Sequence, residues 1–112
     1  MKKIEAIIKP SKLSAVKDAL NEIDLSGMTI FDVKGFGRQK GKIGLEENED
    51  FADEFLAKIK IELIVEDEIA EKTISLIKNA AYSGKIGDGK IFQSNIEEVL
   101  RIRTGEKGNE AV

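Results

Sequence analysis

The chain of 112 residues has no cysteine, no histidine and a single proline. Without cysteine it forms no disulfide bond, so we expect a protein of the reducing cytoplasm. The absence of histidine removes the commonest general base, the usual zinc ligand and the serine–histidine pair of many hydrolases. Triad-type hydrolysis is therefore excluded, and carboxylates, lysines, backbone amides and a bound metal remain as functional groups.

Long apolar runs and an excess of positive charge are also missing. No apolar stretch approaches the roughly 18 residues that span a bilayer. The first ten residues, "MKKIEAIIKP", are interrupted by Glu5 and Lys9 and are not expected to be a signal peptide. The 18 basic and 21 acidic residues give a net charge of −3, which argues against nucleic-acid binding. We expect one domain, residues 1–112, that does not insert into a membrane.

The spacing of apolar residues predicts an α+β protein. It indicates strands at 3–9, 28–36 and 58–65, a final strand region in "KIFQS" and "VLRIRT", and helices at 11–23 and 66–82, the first capped by Ser11. The segments "IEAII" at 4–8 and "IELIV" at 61–65 share Ile, Glu and Ile in register, and each leads into a helix. This doubled order is that of a ferredoxin-like βαββαβ fold with both helices on one face of the sheet.

The other face of this sheet has an unusual mixture of side chains. It would present charged and apolar residues together: Glu5, Ile7, Lys60, Glu62 and Ile64. That mixture is too apolar for water and too charged for the core of a monomer. We therefore expect a face shared with other subunits, and the alternative is a sheet that is half solvated.

The stretch "GKIGDGK" at 84–90 combines three glycines with two lysines. Glycine-rich turns let backbone N–H groups approach a phosphate, and lysine adds positive charge. A Walker motif is excluded, because Lys90 is followed by Ile91 and Phe92 and a strand. Alone, the stretch could be a simple glycine-rich turn.

Two further stretches have the same character, "GFGRQKG" at 35–41 and "RIRTG" at 101–105. On a strand, Arg101 and Arg103 would point the same way, roughly 7 Å apart, which suits a polyphosphate. Solvated edge arginines and a flexible loop root are the alternatives. Three basic, glycine-linked stretches in a chain of net negative charge indicate one anionic ligand shared among them.

Five segments, "KKIEAIIKP", "GMT" at 27–29, "VKGFGRQKG" at 33–41, "SGKIGDGKIF" at 83–92 and "RIRTGEKG" at 101–108, resemble the nitrogen regulatory protein PII family over the whole chain. The resemblance implies a homotrimer of ferredoxin-like subunits. It implies ATP or ADP in the clefts between subunits, 2-oxoglutarate beside Mg-ATP, and docking onto ammonium transporters or enzymes of nitrogen metabolism. The protein would then be a signal-transduction regulator and not an enzyme.

The resemblance also assigns segments and residues. It places a T-loop at 37–55 between the second and third strands, a B-loop at 82–90 and a C-terminal segment at 101–112. The implied nucleotide-binding residues are Thr29, Gly37, Arg38, Gln39, Ile64, Gly87, Asp88, Gly89, Lys90, Arg101 and Arg103, with the two C-terminal arginines reaching in from the neighbouring subunit. The implied 2-oxoglutarate ligands are Gln39, Lys58 and Gly87, and Gln39 is the implied protein ligand of Mg²⁺.

The tip of the T-loop departs from the family pattern. It reads Glu46-Glu47-Asn48-Glu49-Asp50-Phe51. Glu47 replaces the arginine that enters the pore of ammonium transporters, so the target among transporters and nitrogen-metabolism enzymes is left open. Three basic and six acidic residues give the loop a charge of −3, which favours a partner with a basic surface. A transporter target would recruit the protein to the membrane.

Covalent switching of the tip is also not expected. Phe51 replaces the tyrosine that family members modify, and residues 37–55 contain no serine, threonine or tyrosine.

Two other functions are alternatives. A weak ATPase or phosphotransferase would have only Asp88 and Glu62 as nearby carboxylates. A relative that senses another small molecule, such as bicarbonate or a different nucleotide, is disfavoured because Gln39 and Lys58 are intact.

Overall fold

The computed structural model describes residues 1–36 and 55–112. Its strands are β1 (Lys2–Ile8), β2 (Thr29–Gly35), β3 (Leu56–Val65) and β4 (Lys90–Asn95), and its helices are α1 (Leu13–Ala19) and α2 (Asp67–Ala81). The strands form one antiparallel sheet in the order β2-β3-β1-β4. This is the βαββαβ order of the ferredoxin-like fold, so the predicted fold class is confirmed.

Both helices pack on one face of the sheet. The inward residues of the two central strands alternate with outward ones, and Ala6 of β1 lies opposite Ile61 of β3. The buried apolar core consists of Ile4, Ala6, Ile8, Val16, Leu20, Ile59, Ile61, Leu63, Val65, Ala70, Ile77 and Ala81. Thr73 is buried among them, and its hydroxyl donates to the Ile69 carbonyl at 2.7 Å. The core thus anchors β1, against which the loop described below packs, and β3, which carries Lys58 towards that loop.

The opposite face of the sheet carries four charged side chains at its centre. Lys3, Glu5, Lys60 and Glu62 form ion pairs of alternating charge, with N–O distances of 3.3 to 3.9 Å. The Lys60 ammonium also lies 4.7 Å from the centre of the Phe31 ring. Each of the four charged side chains keeps only a quarter to a third of its surface exposed. The mixed character of this face is as expected, and its cover by other subunits stays a prediction.

The predicted first helix at 11–23 is shorter in the structure. It divides into a 3₁₀ turn at Pro10–Lys12, the helix α1 and a second 3₁₀ turn at Leu20–Glu22. Ser11 does not cap the helix, because it lies inside the first turn, and the residue before α1 is Lys12. Proline fixes the backbone at the start of that turn, so the chain enters the helix through a tighter winding.

The prediction that "VLRIRT" continues the last strand is wrong. β4 ends at Asn95, and Leu100 makes a single bridge with Lys107. The segment 102–104 is a turn, closed by a hydrogen bond from the Gly105 N–H to the Arg101 carbonyl at 2.8 Å. Gly105 has a φ of 76°, a conformation that glycine adopts without strain and that reverses the chain here. The two arginines therefore do not share a pleated strand.

In the described ranges, 1–36 and 55–112, no helix has the length and apolar character needed to cross a membrane.

Candidate functional site

The B-loop joins the end of α2 to the start of β4 and lies against β1. Gly84, Gly87 and Gly89 all have positive φ. A Cβ atom on Gly89 would lie 1.7 Å from the Ile7 carbonyl oxygen, so no other residue fits there without moving the backbone. The loop is therefore pressed onto the end of β1 at its last glycine.

The carboxylate of Asp88 holds the first half of this loop. It accepts hydrogen bonds from the N–H groups of Ser83 at 2.8 Å and Gly84 at 2.9 Å, and from the Ser83 hydroxyl. The Lys9 ammonium lies 3.4 Å from the same carboxylate. These hydrogen bonds, led by that of the Ser83 hydroxyl, hold the pKa of Asp88 far below its usual range. Asp88 is thus a fixed anion and cannot serve as a general base near neutral pH.

The second half of the loop keeps its donors available. In the described residues, no loop or turn hydrogen bond uses the N–H groups of Gly87, Asp88 or Gly89. Unpaired backbone N–H groups that converge in a turn of positive-φ glycines form an anion-binding concavity. These three residues are among the nucleotide-binding residues that the family resemblance implies.

Lys58 reaches the loop from β3. Its ammonium donates to the Gly87 carbonyl at 2.7 Å, which leaves two of its three hydrogens for another acceptor. Burial lowers the pKa of Lys58, the charge of Lys9 lowers it further, and Asp88 acts in the opposite direction. A partly desolvated ammonium of this kind gains strongly from a carboxylate or phosphate partner.

We call the cavity beside these groups the loop hollow. It has a volume of about 340 Å³ and is lined by Lys58, Gly87, Gly89 and Lys90, with apolar walls that include Ile7 and Phe92. Two ammonium groups, backbone donors and apolar walls suit an anion with an apolar part.

A second cavity, the terminal hollow, lies at the other end of the sheet. It has a volume of about 510 Å³ and is lined by residues that include Thr29, Glu62, Ile64 and Arg101. The Arg101 guanidinium donates to the Glu106 carboxylate at 3.2 Å. Arg103 follows on the exposed turn.

The structure therefore brings the predicted residues together in two groups. Thr29 and Gly35, at the two ends of β2, belong to different hollows. The rise of a strand separates them by about 20 Å. One chain does not unite the groups. The predicted Gly37, Arg38 and Gln39, the T-loop tip and Phe51 lie outside the described residues, so those predictions stay predictions.

Two residues of the site, Lys9 and Ser83, were not predicted from the sequence. Lys9 lies 74 positions before Ser83, and its ammonium donates to the Ser83 hydroxyl at 3.1 Å. The signal available for Ser83 was general, because serine and aspartate side chains commonly hydrogen-bond to nearby backbone groups in turns. No local signal indicated Lys9.

The two carboxylates considered as bases are both paired, and the described residues form no acidic cluster for a metal. Glu62 is paired with Lys3 at 3.5 Å and Lys60 at 3.9 Å, and Asp88 is bound as described above. Within 1–36 and 55–112, no group of three or more acidic side chains could hold a metal ion. The predicted Mg²⁺ ligand, Gln39, is outside those ranges.

Comparison with known proteins identifies the family. The family model described as "Nitrogen regulatory protein P-II" matches residues 1–106. Proteins named nitrogen regulatory protein P-II from Rhizobium meliloti (strain 1021), Rhodospirillum rubrum and Azospirillum brasilense are 57%, 56% and 54% identical to this chain over 112 residues, which is 100% of both chains in each case.

A solved structure agrees with this match. The structure of Arabidopsis thaliana PII bound to citrate superposes with a TM-score of 0.82 at 39% sequence identity, covering 99% of this chain and 91% of that one. The relatives are named as regulatory proteins and not as enzymes, which confirms the expected class. The chain belongs to the nitrogen regulatory protein P-II family.

Proposed function

We propose that this protein senses ATP or ADP together with 2-oxoglutarate and passes the signal to protein targets through its T-loop. The observation that carries the proposal is the anion-binding site at the loop hollow, which holds part of the implied set of ligand-binding residues. Gly87, Asp88 and Gly89 hold unused N–H groups next to the ammonium groups of Lys58 and Lys90. Among the described residues, no carboxylate lines this hollow, so binding without turnover is the function that this chemistry supports.

The nucleotide would lie between two chains. The backbone N–H groups of the B-loop and the Lys90 ammonium would hold its phosphates from one chain. Thr29 and Ile64 would meet the base, and Arg101 and Arg103 the phosphates, from the next chain. Each hollow contains only part of this set and the two are about 20 Å apart, which supports a site completed by a second copy. The homotrimer of the family would bring the hollows together and cover the charged sheet face.

The effector 2-oxoglutarate would bind beside the phosphates. Lys58 has two hydrogens left for a carboxylate, and partial burial lowers its pKa, so its ammonium would gain from that partner. The Arabidopsis PII was solved with citrate bound, which supports small carboxylates as a ligand class in this family. Gln39 would complete the shell of a Mg²⁺ ion, a metal that prefers hard oxygen ligands and would hold phosphate and effector oxygens together.

The output would be a protein contact made by residues 37–55. The acidic composition of this segment favours a target with a basic surface, whether an ammonium transporter or an enzyme of nitrogen metabolism. The protein would act in the cytoplasm and reach the membrane only through a transporter.

Titration calorimetry with ATP, ADP and 2-oxoglutarate, with and without Mg²⁺, tests the proposal. We expect ATP and ADP to bind, and 2-oxoglutarate to bind poorly unless Mg-ATP is present. Light scattering should give a mass near three times 12.4 kDa. ATP turnover should stay far below the roughly 1 s⁻¹ at the low end of ordinary enzymes. Equal 2-oxoglutarate affinity with and without ATP would contradict the shared site.

A matched pair of lysines sharpens this test. Lys90→Met removes a charge that lines the loop hollow, and should weaken ATP about tenfold or more, as expected for a charge-assisted hydrogen bond. Lys85→Met removes the same charge from a residue of the same loop that does not line the loop hollow, and should change ATP affinity by less than about twofold. Equal losses in the two variants would mean that only general charge attracts the nucleotide.

A further inference from the structure

The position of Asp88 poses an electrostatic problem. Its carboxylate is a permanent anion in the middle of a loop that would hold phosphates, and like charges there would repel. The structure neutralises it locally, since Lys9 lies 3.4 Å away and three hydrogen-bond donors of Ser83 and Gly84 point at it. In the part of the chain that the structure describes, Lys58 and Lys90 therefore remain as the charges of the loop hollow without an ion-pair partner.

The Ser83 hydroxyl is fully used in this cluster. A hydroxyl has one hydrogen to donate and two lone pairs to accept with. It donates to Asp88, because a carboxylate only accepts, and it accepts from the Lys9 ammonium at 3.1 Å and from the Lys85 N–H at 3.2 Å. All three capacities are occupied, and the hydroxyl ties β1, the helix end and the loop together.

These contacts also decide which donors stay unused. Asp88 bonds to the N–H groups of Ser83 and Gly84, which precede it by five and four positions. The loop is thereby closed through a side chain, and its later N–H groups are not needed to hold it. A backbone-closed turn would have used such donors itself.

We infer that the side chains of Lys9, Ser83 and Asp88 form a loop latch, which fixes the phosphate-binding half of the B-loop while the three side chains themselves do not touch the ligand. This inference rests on the proposed function of that loop. The side chains order the N–H groups of Gly87 and Gly89 before a phosphate arrives. The conformational entropy of the loop is therefore lost when the protein folds and not when the ligand binds. Loss of the latch should therefore lower the affinity for the nucleotide, although the residues that contact the nucleotide directly remain.

The test is a serine series. Ser83→Ala removes all three hydroxyl contacts. It should lower the ATP affinity measured by calorimetry about tenfold, which is the net contribution of one or two hydrogen bonds. Ser83→Thr keeps the hydroxyl and should stay within about twofold of the parent protein. A defect in folding alone would not be rescued in this ligand-specific way, and light scattering checks that assembly is unchanged. Parent-like ATP affinity in Ser83→Ala would overturn the inference.

A second variant keeps the inference testable if Ser83→Ala fails to fold. Lys9→Met leaves the backbone bonds of Asp88 in place and should weaken ATP by about threefold more than the charge control Lys85→Met. Equal effects of the two lysine variants would count against the latch.

Amide hydrogen exchange separates the latch from the proposed function. In unliganded protein, the N–H of Gly84 and its neighbours should exchange faster in Ser83→Ala than in the parent or Ser83→Thr. If the parent does not bind ATP, the proposed function fails, and this exchange pattern alone decides the latch. Unchanged exchange in Ser83→Ala would overturn it whatever the nucleotide result.

Discussion

Replacing Gly89 by alanine should be the most damaging single-methyl change in the B-loop. The new Cβ would lie 1.7 Å from the Ile7 carbonyl oxygen, and a φ of 97° is unfavourable for a residue with a side chain. The backbone conformation alone costs about 1–2 kcal/mol. Relief of the overlap requires a backbone shift of the kind that costs about 1–3 kcal/mol in overpacked cores. We expect a total loss of about 2–5 kcal/mol of unfolding free energy and a strong loss of ATP binding.

Gly105→Ala is the matched control, because Gly105 has a φ of 76° and a Cβ there meets nothing within 4 Å. Gly105→Ala should lose only the part of the unfolding free energy that comes from the backbone conformation, about 1–2 kcal/mol. Denaturant unfolding at equal protein concentration measures both, since assembly makes stability depend on concentration. The two variants should differ by about 1–3 kcal/mol. Equal losses would refute the contact between the loop and β1.

The remaining predictions concern ligands, acid and modification. Arg103→Ala should weaken ATP about ten- to hundredfold, and normal ATP binding in calorimetry would remove this residue from the site. Lys58→Ala should abolish 2-oxoglutarate binding and leave ATP largely intact in the same titration. The pKa of Asp88 is lower in the fold than the roughly 3.9 of an unfolded chain, so its stabilising effect is full above that value and is lost as pH falls through the folded pKa. Asp88→Asn should therefore flatten the loss of stability on acidification, and an unchanged acid unfolding curve would contradict this. Intact-mass spectrometry of protein from nitrogen-starved and nitrogen-replete cells should show no adduct within 37–55.

The parts of the fold that were predictable are those with strict periodicity. In β3, every second residue from Ile59 to Val65 is buried, and the alternation placed this face correctly. The same alternation failed at "VLRIRT", where the apolar residues suggested a strand. Gly105 turns the chain back, and Ile102 is almost wholly exposed. A two-residue period over so short a stretch cannot distinguish a strand from a turn that ends in a left-handed glycine.

The site was predictable where its chemistry is local. The glycines and Lys90 of the B-loop lie within seven residues and together indicate an anion-binding turn. Its support was not predictable, because Lys9 approaches from the end of another strand and meets Ser83 only in the folded chain. The division of the site into two hollows was also hidden, since it depends on how far β2 carries Thr29 from Gly35.

The division of the site between two hollows has a consequence for rings that mix two variants. In a closed ring, each junction would join the loop hollow of one chain to the terminal hollow of the next, so every chain takes part in two sites. Rings of Lys90→Met alone, or of Arg103→Ala alone, would have damage at every junction. In a mixed ring, the loop hollow of an Arg103→Ala chain meets the terminal hollow of a Lys90→Met chain, and that junction carries no substitution. Two defective variants, unfolded and reassembled together, should therefore complement one another and recover tight nucleotide sites that neither has by itself.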